Sequence, residues 1–360
     1  MKARLFITIL TALLFNVVMG GLVSAATGFN PLAVVGVGSA LTFAMPKLAG
    51  MAPMAVQKEI WLTSIVENLF ADNSFLSKAF NADEFVNAGK TVHIPNAGSA
   101  SSVSKNRTSL PATVKTRTDL DLTFNLDEFT TDPIRIPQAD TVELSYNKRE
   151  SCLKNDKSKL IEEVSNAFIY AWSPSSTYVV RTTGSAAAAH VPAATGNRKA
   201  LKSADLLTAM NTFNAANVPQ EGRYALVDAV MYGQLLEDMT ANQVADFNKQ
   251  ADIANGTLGK IYSFNVMMRS KAGRYNSALA AKAWTADNGV AVAGATTDHG
   301  AVICWHEGSV CRAMGEVNMF EEVGSPTYYG DTYSFLVRAG GRPMRNGVEG
   351  LLAIVQDTSA

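Results

Sequence analysis

Thr91-Val92-His93-Ile94-Pro95 and Leu120-Asp121-Leu122-Thr123-Phe124-Asn125-Leu126 are the two stretches on which the fold turns. The first reads as a short strand. In the second, Leu120, Leu122, Phe124 and Leu126 alternate with polar residues, the period-two pattern of a strand with one apolar face. Between them, Asn96 to Ala112 is rich in Ser, Ala, Asn and Gly and nearly devoid of large apolar side chains. The whole predicts a long two-stranded hairpin with a mobile tip. Such a ribbon alone is marginal in water, and burying four large apolar side chains is worth about 6 to 12 kcal/mol at roughly 1.5 to 3 each. Either the body of the chain or a neighbouring copy must cover that face, and the sequence leaves both open.

Charge along the hairpin is separated by sign. Lys105, Arg107, Lys115 and Arg117 decorate the tip and its return, and Asp119, Asp121, Asp127 and Glu128 follow. Asp119 and Asp121 sit at alternate positions and read as a solvated face. The four basic residues are expected to pair with acidic groups on a neighbouring subunit.

Upstream, Gln57 to Phe70 places Trp61, Ile65, Val66, Leu69 and Phe70 at helical spacing, which predicts an amphipathic helix in need of a partner surface. Trp61 and Ile65 therefore join Leu120, Leu122, Phe124, Leu126 and the basic residues as candidate inter-subunit contacts. Downstream, Lys157 to Trp172 carries Leu160, Ile161, Val164, Ala167, Phe168 and Ala171 on one helical face, with Lys157, Lys159, Glu162 and Glu163 outside it. Pro174 ends that helix. Ser203 is placed to cap a helix bearing Leu206, Leu207, Met210 and Phe213. Val218-Pro219-Gln220-Glu221-Gly222 is a turn into a buried strand, Tyr224 to Val227, and then a helix near Met231 to Asp238. Asn255-Gly256-Thr257-Leu258-Gly259 is a further turn, feeding Ile261, Phe264 and Val266 into a strand. The C-terminal third is expected to alternate short strands with Gly-rich turns and to end in a buried strand, Leu351 to Val355. With no internal repeat and no regular βαβ alternation, the class is α+β.

Three hundred and sixty residues, 47% hydrophobic and 18% charged, can bury a substantial core in one to three domains. A net charge of -1 excludes a strong sequence-independent grip on nucleic acid, which needs clustered Lys and Arg. Cys152, Cys304 and Cys311 are an odd, scattered set, as expected in a reducing cytoplasm. The beginning of the chain points elsewhere: Lys2 and Arg4, an apolar run from Leu5 to Met19, then Val23-Ser24-Ala25 have the layout of a secretory leader. A start codon set too far upstream, or an apolar helix retained inside an assembly, reads the same residues differently.

Taken together, the segments resemble the major capsid proteins of tailed bacteriophages, which share the Hong Kong 97-type fold. The resemblance runs from about Met51 to Gln356. It is carried by Asp72-Asn73-Ser74-Phe75-Leu76 with Gly89-Lys90-Thr91-Val92-His93-Ile94-Pro95, by Ser145-Tyr146-Asn147-Lys148-Arg149-Glu150-Ser151, and by Val218-Pro219 with Gly222-Arg223-Tyr224. Further matches are Gly300-Ala301-Val302 through Trp305-His306, and Tyr328-Tyr329-Gly330-Asp331 with Val337-Arg338-Ala339-Gly340-Gly341. Residues 1–50 are an apolar segment, signal-like or an arm, ahead of the match, and the resemblance implies an N-terminal arm at 51–88 and an extended β-hairpin loop at 89–136. It also implies a peripheral domain with a long spine helix at 137–180 and 325–360, and an axial domain at 181–324. The implied function is a structural subunit that self-assembles into hexamers and pentamers of an icosahedral head shell enclosing double-stranded DNA without sequence-specific binding. Scaffolding, portal and decoration proteins are the implied further partners, with assembly in the host cytoplasm and residence in the virion. The apolar start departs from the family pattern.

Other chemistry reads weakly. His299, Cys304, His306 and Cys311 fall close together, but their spacing matches no paired zinc pattern, and buried Cys with surface His is the usual outcome. No Gly-x-Ser-x-Gly elbow, phosphate-loop lysine or dinucleotide fingerprint is present, so no catalytic set, metal or cofactor is expected. The competing readings are an exported envelope-associated binding protein, supported by the leader-like start, and a host-encoded nanocompartment shell of the same fold.

Overall fold

The computed structural model describes residues 73–359, apart from 88–89, 97–102, 109, 112–113, 115–119, 138–147, 286–291 and 346–348. Everything described falls in the unit Ile65–Ala360, and the unit Met1–Ser64 lies outside the described residues. The expected helix at Gln57 to Phe70, with Trp61 and Ile65, also lies outside them, as do Lys115 and Arg117.

A short strand β1 (Phe80–Asn81) precedes the ribbon strands β2 (Val86–Asn87), β3 (Thr91–Asn96) and β4 (Leu120–Asn125), then β5 (Asp127–Thr130) and β6 (Ile134–Pro137). The long helix α1 (Lys148–Trp172) leads to β7 (Val179–Arg181), β8 (Ala186–Ala188) and β9 (Asn197–Lys199). Helix α2 (Ser203–Ala215), strand β10 (Arg223–Asp228), and helices α3 (Ala229–Asp238) and α4 (Ala241–Lys249) come next. The rest is strand: β11 (Thr257–Ile261), β12 (Phe264–Arg269), β13 (Gly273–Tyr275), β14 (His299–His306), β15 (Val310–Ser325), β16 (Gly330–Pro343), β17 (Leu351–Val355) and β18 (Thr358–Ser359).

Two sheets dominate. A seven-stranded sheet runs β11-β12-β10-β14-β17-β7, with β13 also on β14, and a five-stranded sheet runs β1-β15-β16-β5, with β6 also on β16. Smaller sheets are β2-β3-β4 and β18-β9-β8. Helices α2, α3 and α4 cover one face of the larger sheet, where Leu206, Phe213, Met231, Leu235 and Phe247 form one cluster with Val227, Val266, Val302, Cys304 and Ile354. Strands β10 and β17 read as continuous apolar runs because helices cover one face and the rest of the chain covers the other. Asp228 closes β10 and caps α3, its Oδ1 accepting from the Met231 amide at 2.7 Å.

Helix α1 lies against both large sheets. On one side Gly341 of β16 admits it, since a Cβ there would stand 2.8 Å from Trp172 Nε1 and 3.0 Å from Phe168 Cδ1. On the other, Arg269 of β12 donates to Asn166 Oδ1 at 2.6 Å and Lys271 pairs with Glu162 at 2.6 Å. At its end, Trp172 packs on Phe75, Phe168 and Trp305 with ring centroids 5.7, 6.0 and 5.7 Å away. Its indole N–H donates to the Cys311 carbonyl at 3.0 Å, and that of Trp305 donates to the Lys78 carbonyl at 2.8 Å. One aromatic knot therefore ties together the helix, both sheets and the segment around Phe75.

Several expectations are corrected. The helix begins at Lys148, not Lys157, and Lys157 lies within the buried stripe, 6% exposed, because a helix covered on two sides submerges the aliphatic stem of a long side chain. Lys202, not Ser203, is the N-cap of α2: its amide donates to Asp205 Oδ2 at 2.9 Å, while Ser203 donates from N and Oγ to Asp238. The C-terminal third holds two long strands of 16 and 14 residues, with interruptions absorbed as bulges at Met314/Val317 and Glu322/Ser325. Strand β15 shares a sheet with β16, while β17 returns to the larger sheet. Cys304 and Cys311, close in the sequence, fall into separate apolar clusters because β14 and β15 join different sheets.

His299, 1% exposed, opens β14. Burial, then the nearby Arg198 and Arg181 guanidiniums, push its pKa down to about 4 from 6.5. The folded chain thus refuses a proton that the unfolded chain accepts below about 6.5. Stability is expected to decline as pH falls from about 6.5 toward 4 on this account. Melting temperature against pH checks it: His299→Gln should flatten the slope in that window, and an unchanged slope would assign it to other groups.

Candidate assembly surface

The ribbon is rooted in the chain's own body. In β3 and β4 the register sets Val92 opposite Phe124 and Ile94 opposite Leu122, so these side chains share one face. Val92, Ile94, Leu122 and Leu126 are buried with Ala82, Cys311 and Ala313, and Phe124 packs half-buried against the same cluster. The small side chains Cys311 and Ala313 on β15 leave room for the larger ones of the ribbon. The sheltering that the sequence left open is therefore intramolecular at the root. Leu122 and Leu126, expected as inter-subunit contacts, are committed to this core and have little surface to offer a neighbour. Leu120 pairs with Asn96 through the backbone, and its side chain lies outside the described residues. The opposite face is polar: His93 Nδ1 lies 3.2 Å from Asp121 Oδ2, and Thr91 donates to Asn125 Oδ1 at 3.1 Å.

The tip is different. Lys105 and Arg107 are exposed there, and Val103, Leu110 and Val114 are 97%, 80% and 93% exposed. Their side chains therefore gain almost no cover from the chain's own body.

A second exposed surface was not anticipated from the sequence. The β15–β16 ribbon buries one face, where Met319 stands opposite Phe335 and Val317 opposite Val337. On the other, Phe320 stands opposite Ser334 and Glu322 opposite Thr332, with Phe320 55% exposed. Arg338 holds Glu128 at 2.9 Å and Glu316 at 3.5 Å on the flank of this ribbon. At its turn, Asp331 accepts from the Gly324 amide at 2.9 Å, and Tyr328 and Tyr329 are exposed. The one sequence signal was Phe320 beside Glu321-Glu322, an aromatic next to paired acids in a strand.

No family profile and no curated protein matches this sequence. Solved structures do. The capsid of cyanophage P-SCSP1u is 18% identical with a TM-score of 0.53, over 78% of this chain and 87% of that one. The capsid of Ralstonia phage GP4 is 10% identical with a TM-score of 0.53, over 79% and 88%. A Mycobacterium phage Che8 structure is 14% identical with a TM-score of 0.52, over 78% and 90%. The fold is therefore that of the Hong Kong 97-type phage shell proteins, α+β with a projecting ribbon and a long helix under a ribboned sheet.

Proposed function

We propose that this chain is a major capsid protein: copies assemble into hexamers and pentamers that close as an icosahedral head shell around double-stranded DNA. The subunit acts structurally and not catalytically, is assembled in the host cytoplasm and resides in the virion, with scaffolding, portal and decoration proteins as further partners. The observation that carries this reading is a ribbon locked into its own body at the root and left bare at the tip, in a chain with a shell-protein fold. Apolar side chains held out in water mark a contact surface. The near-neutral charge fits a wall whose copies must not repel one another and a lumen that does not clamp its DNA.

Electron microscopy of the expressed protein tests the reading, with closed particles built from five- and six-fold capsomers as the expected result. A discrete monomer under all assembly conditions would overturn it, and particles filled with a cargo enzyme would favour a nanocompartment instead. Limited trypsin digestion adds a second measurement. Lys105 and Arg107 should be cut readily in unassembled subunits, and roughly tenfold more slowly in particles, since exposed tips are the preferred nicking sites. Equal rates in both states would show the tip to be free in the shell.

A further inference from the structure

We infer that the groove between α4 and the β11–β12 hairpin is a carbohydrate site, which takes one neutral sugar residue with Tyr262 as its stacking platform. The inference does not depend on the shell reading.

The groove encloses about 390 Å³, within the range of small-molecule sites, roughly 300 to 1,000 Å³. Its floor is apolar: Met239 and Phe247 are buried there, and Ile261 is half-buried. Gly259 of β11 seats that floor, since a Cβ on it would stand 2.5 Å from the Phe247 ring. Gln243, Asp246 and Phe247 of α4, with Gln250 just past its end, follow one another at spacings of one, three or four residues that share a helix side. Three polar groups therefore stand along the rim with one ring beneath them.

The rim both donates and accepts. Gln243 Oε1 accepts from the Thr240 amide and hydroxyl at 2.9 and 3.0 Å, which fixes the side chain and leaves its Nε2 donors for a ligand. Asp246 Oδ1 accepts from Lys249 Nζ at 2.7 Å, which leaves Oδ2 as an acceptor. Gln250 and Lys260 have no side-chain partner among the described residues.

Tyr262 supplies the wall. It opens the two-residue turn between Ile261 and Phe264 and is held at φ 51°, in the left-handed region where such turns place Gly, Asn or Asp. The fold gains little from the ring in return, for Tyr262 is 46% exposed and its hydroxyl has no partner among the described residues. A strained residue that keeps a large ring at the edge of a groove is the pattern of a ligand clamp. A sugar ring matches this groove face for face. Its C–H side is apolar and stacks on an aromatic ring, and its hydroxyls each give and accept a hydrogen bond, as the amides and carboxylate of the rim require. Beside the groove Lys249 pairs with Asp246 at 2.7 Å and Lys202 with Asp238 at 3.9 Å, a near balance of charge that suits an uncharged ligand.

Saturation-transfer NMR of the purified full chain with the methyl glycosides of glucose, galactose, mannose and N-acetylglucosamine tests the site. At least one of them should receive saturation at its ring C–H protons. Tyr262→Asn suits the left-handed turn and removes the ring, so it should weaken that sugar at least roughly tenfold. Tyr262→Trp keeps a stacking face and should weaken it by less than about threefold. Circular dichroism and melting of both variants check that the hairpin is kept. No saturation of any of the four glycosides, binding that Tyr262→Asn leaves unchanged, or a Tyr262→Trp chain no better than Tyr262→Asn would overturn the assignment. A fall in particle yield with Tyr262→Asn, in a chain that binds none of the four, would overturn it too and give the groove to a neighbouring copy.

Discussion

Trp172→Ala is expected to abolish recovery of folded subunit at 37 °C. The side chain is 1% exposed and touches the rings of Phe75, Phe168 and Trp305, and its N–H satisfies the Cys311 carbonyl. Truncating a buried Trp costs about 3 to 5 kcal/mol, and an acceptor stripped of its donor inside the protein costs roughly 1 to 3 more. Against a total of about 5 to 15 kcal/mol for a typical domain, that is most of the stability. Gly341 brings β16 so close to α1 that the backbone has little freedom to collapse into the gap. Trp172→Phe fills most of the volume and loses the hydrogen bond alone, so its deficit should be the smaller. Urea unfolding followed by circular dichroism reads both, and a Trp172→Ala midpoint near that of the wild type would mean that the knot is not what joins the sheets.

Arg223→Met should be the second most damaging single change. Arg223 is fully buried, and its guanidinium donates to the Pro219 carbonyl at 2.7 Å, the Val218 carbonyl at 2.6 Å, Asn214 Oδ1 at 2.9 Å and Ser263 Oγ at 2.9 Å. It also lies over the Phe213 ring, 5.5 Å from the centroid. Burial depresses its pKa. One side chain thereby fastens the turn before β10 to the end of α2 and to the β11–β12 hairpin. Methionine fills much of the space but leaves four acceptors without a donor, so about 3 to 5 kcal/mol should be lost. Arg223→Lys keeps the charge without the planar fork and should recover only part of it. Thermal melting of the unassembled subunit measures both, and a loss under roughly 1 kcal/mol for Arg223→Met would mean that the turn holds itself.

How far these features could be read in the sequence depends on how regular the local pattern is. The ribbon strands, β10, α3 and β17 were legible because their apolar residues repeat at the period of the element or run unbroken. Gly222-Arg223-Tyr224 was legible as a motif, but nothing in it revealed that the arginine is interior. The first turns of α1, Lys148 to Asp156, offer mostly Lys, Arg, Asn, Ser and acids, so no apolar stripe announces them. Helix α4 has only Val244 and Phe247 to signal its buried side. The two long strands were hidden by their own bulges and glycines, which break the alternation that would have joined the pieces. Lys105 and Arg107 are exposed on the tip, and Leu122 and Leu126 are buried at the root, because alternation identifies an apolar face without identifying what covers it.

Strand β15 has one end in the ribbon's root, at Cys311 and Ala313, and runs past Phe320 to Ser325 at the other. Sixteen residues of strand span roughly 50 Å. The strand is a spar with two kinks, at its bulges, and a torque applied to the projecting lever at one end arrives at the far end through covalent backbone. In a closed wall, load on any one subunit would travel along such spars and be shared with its neighbours.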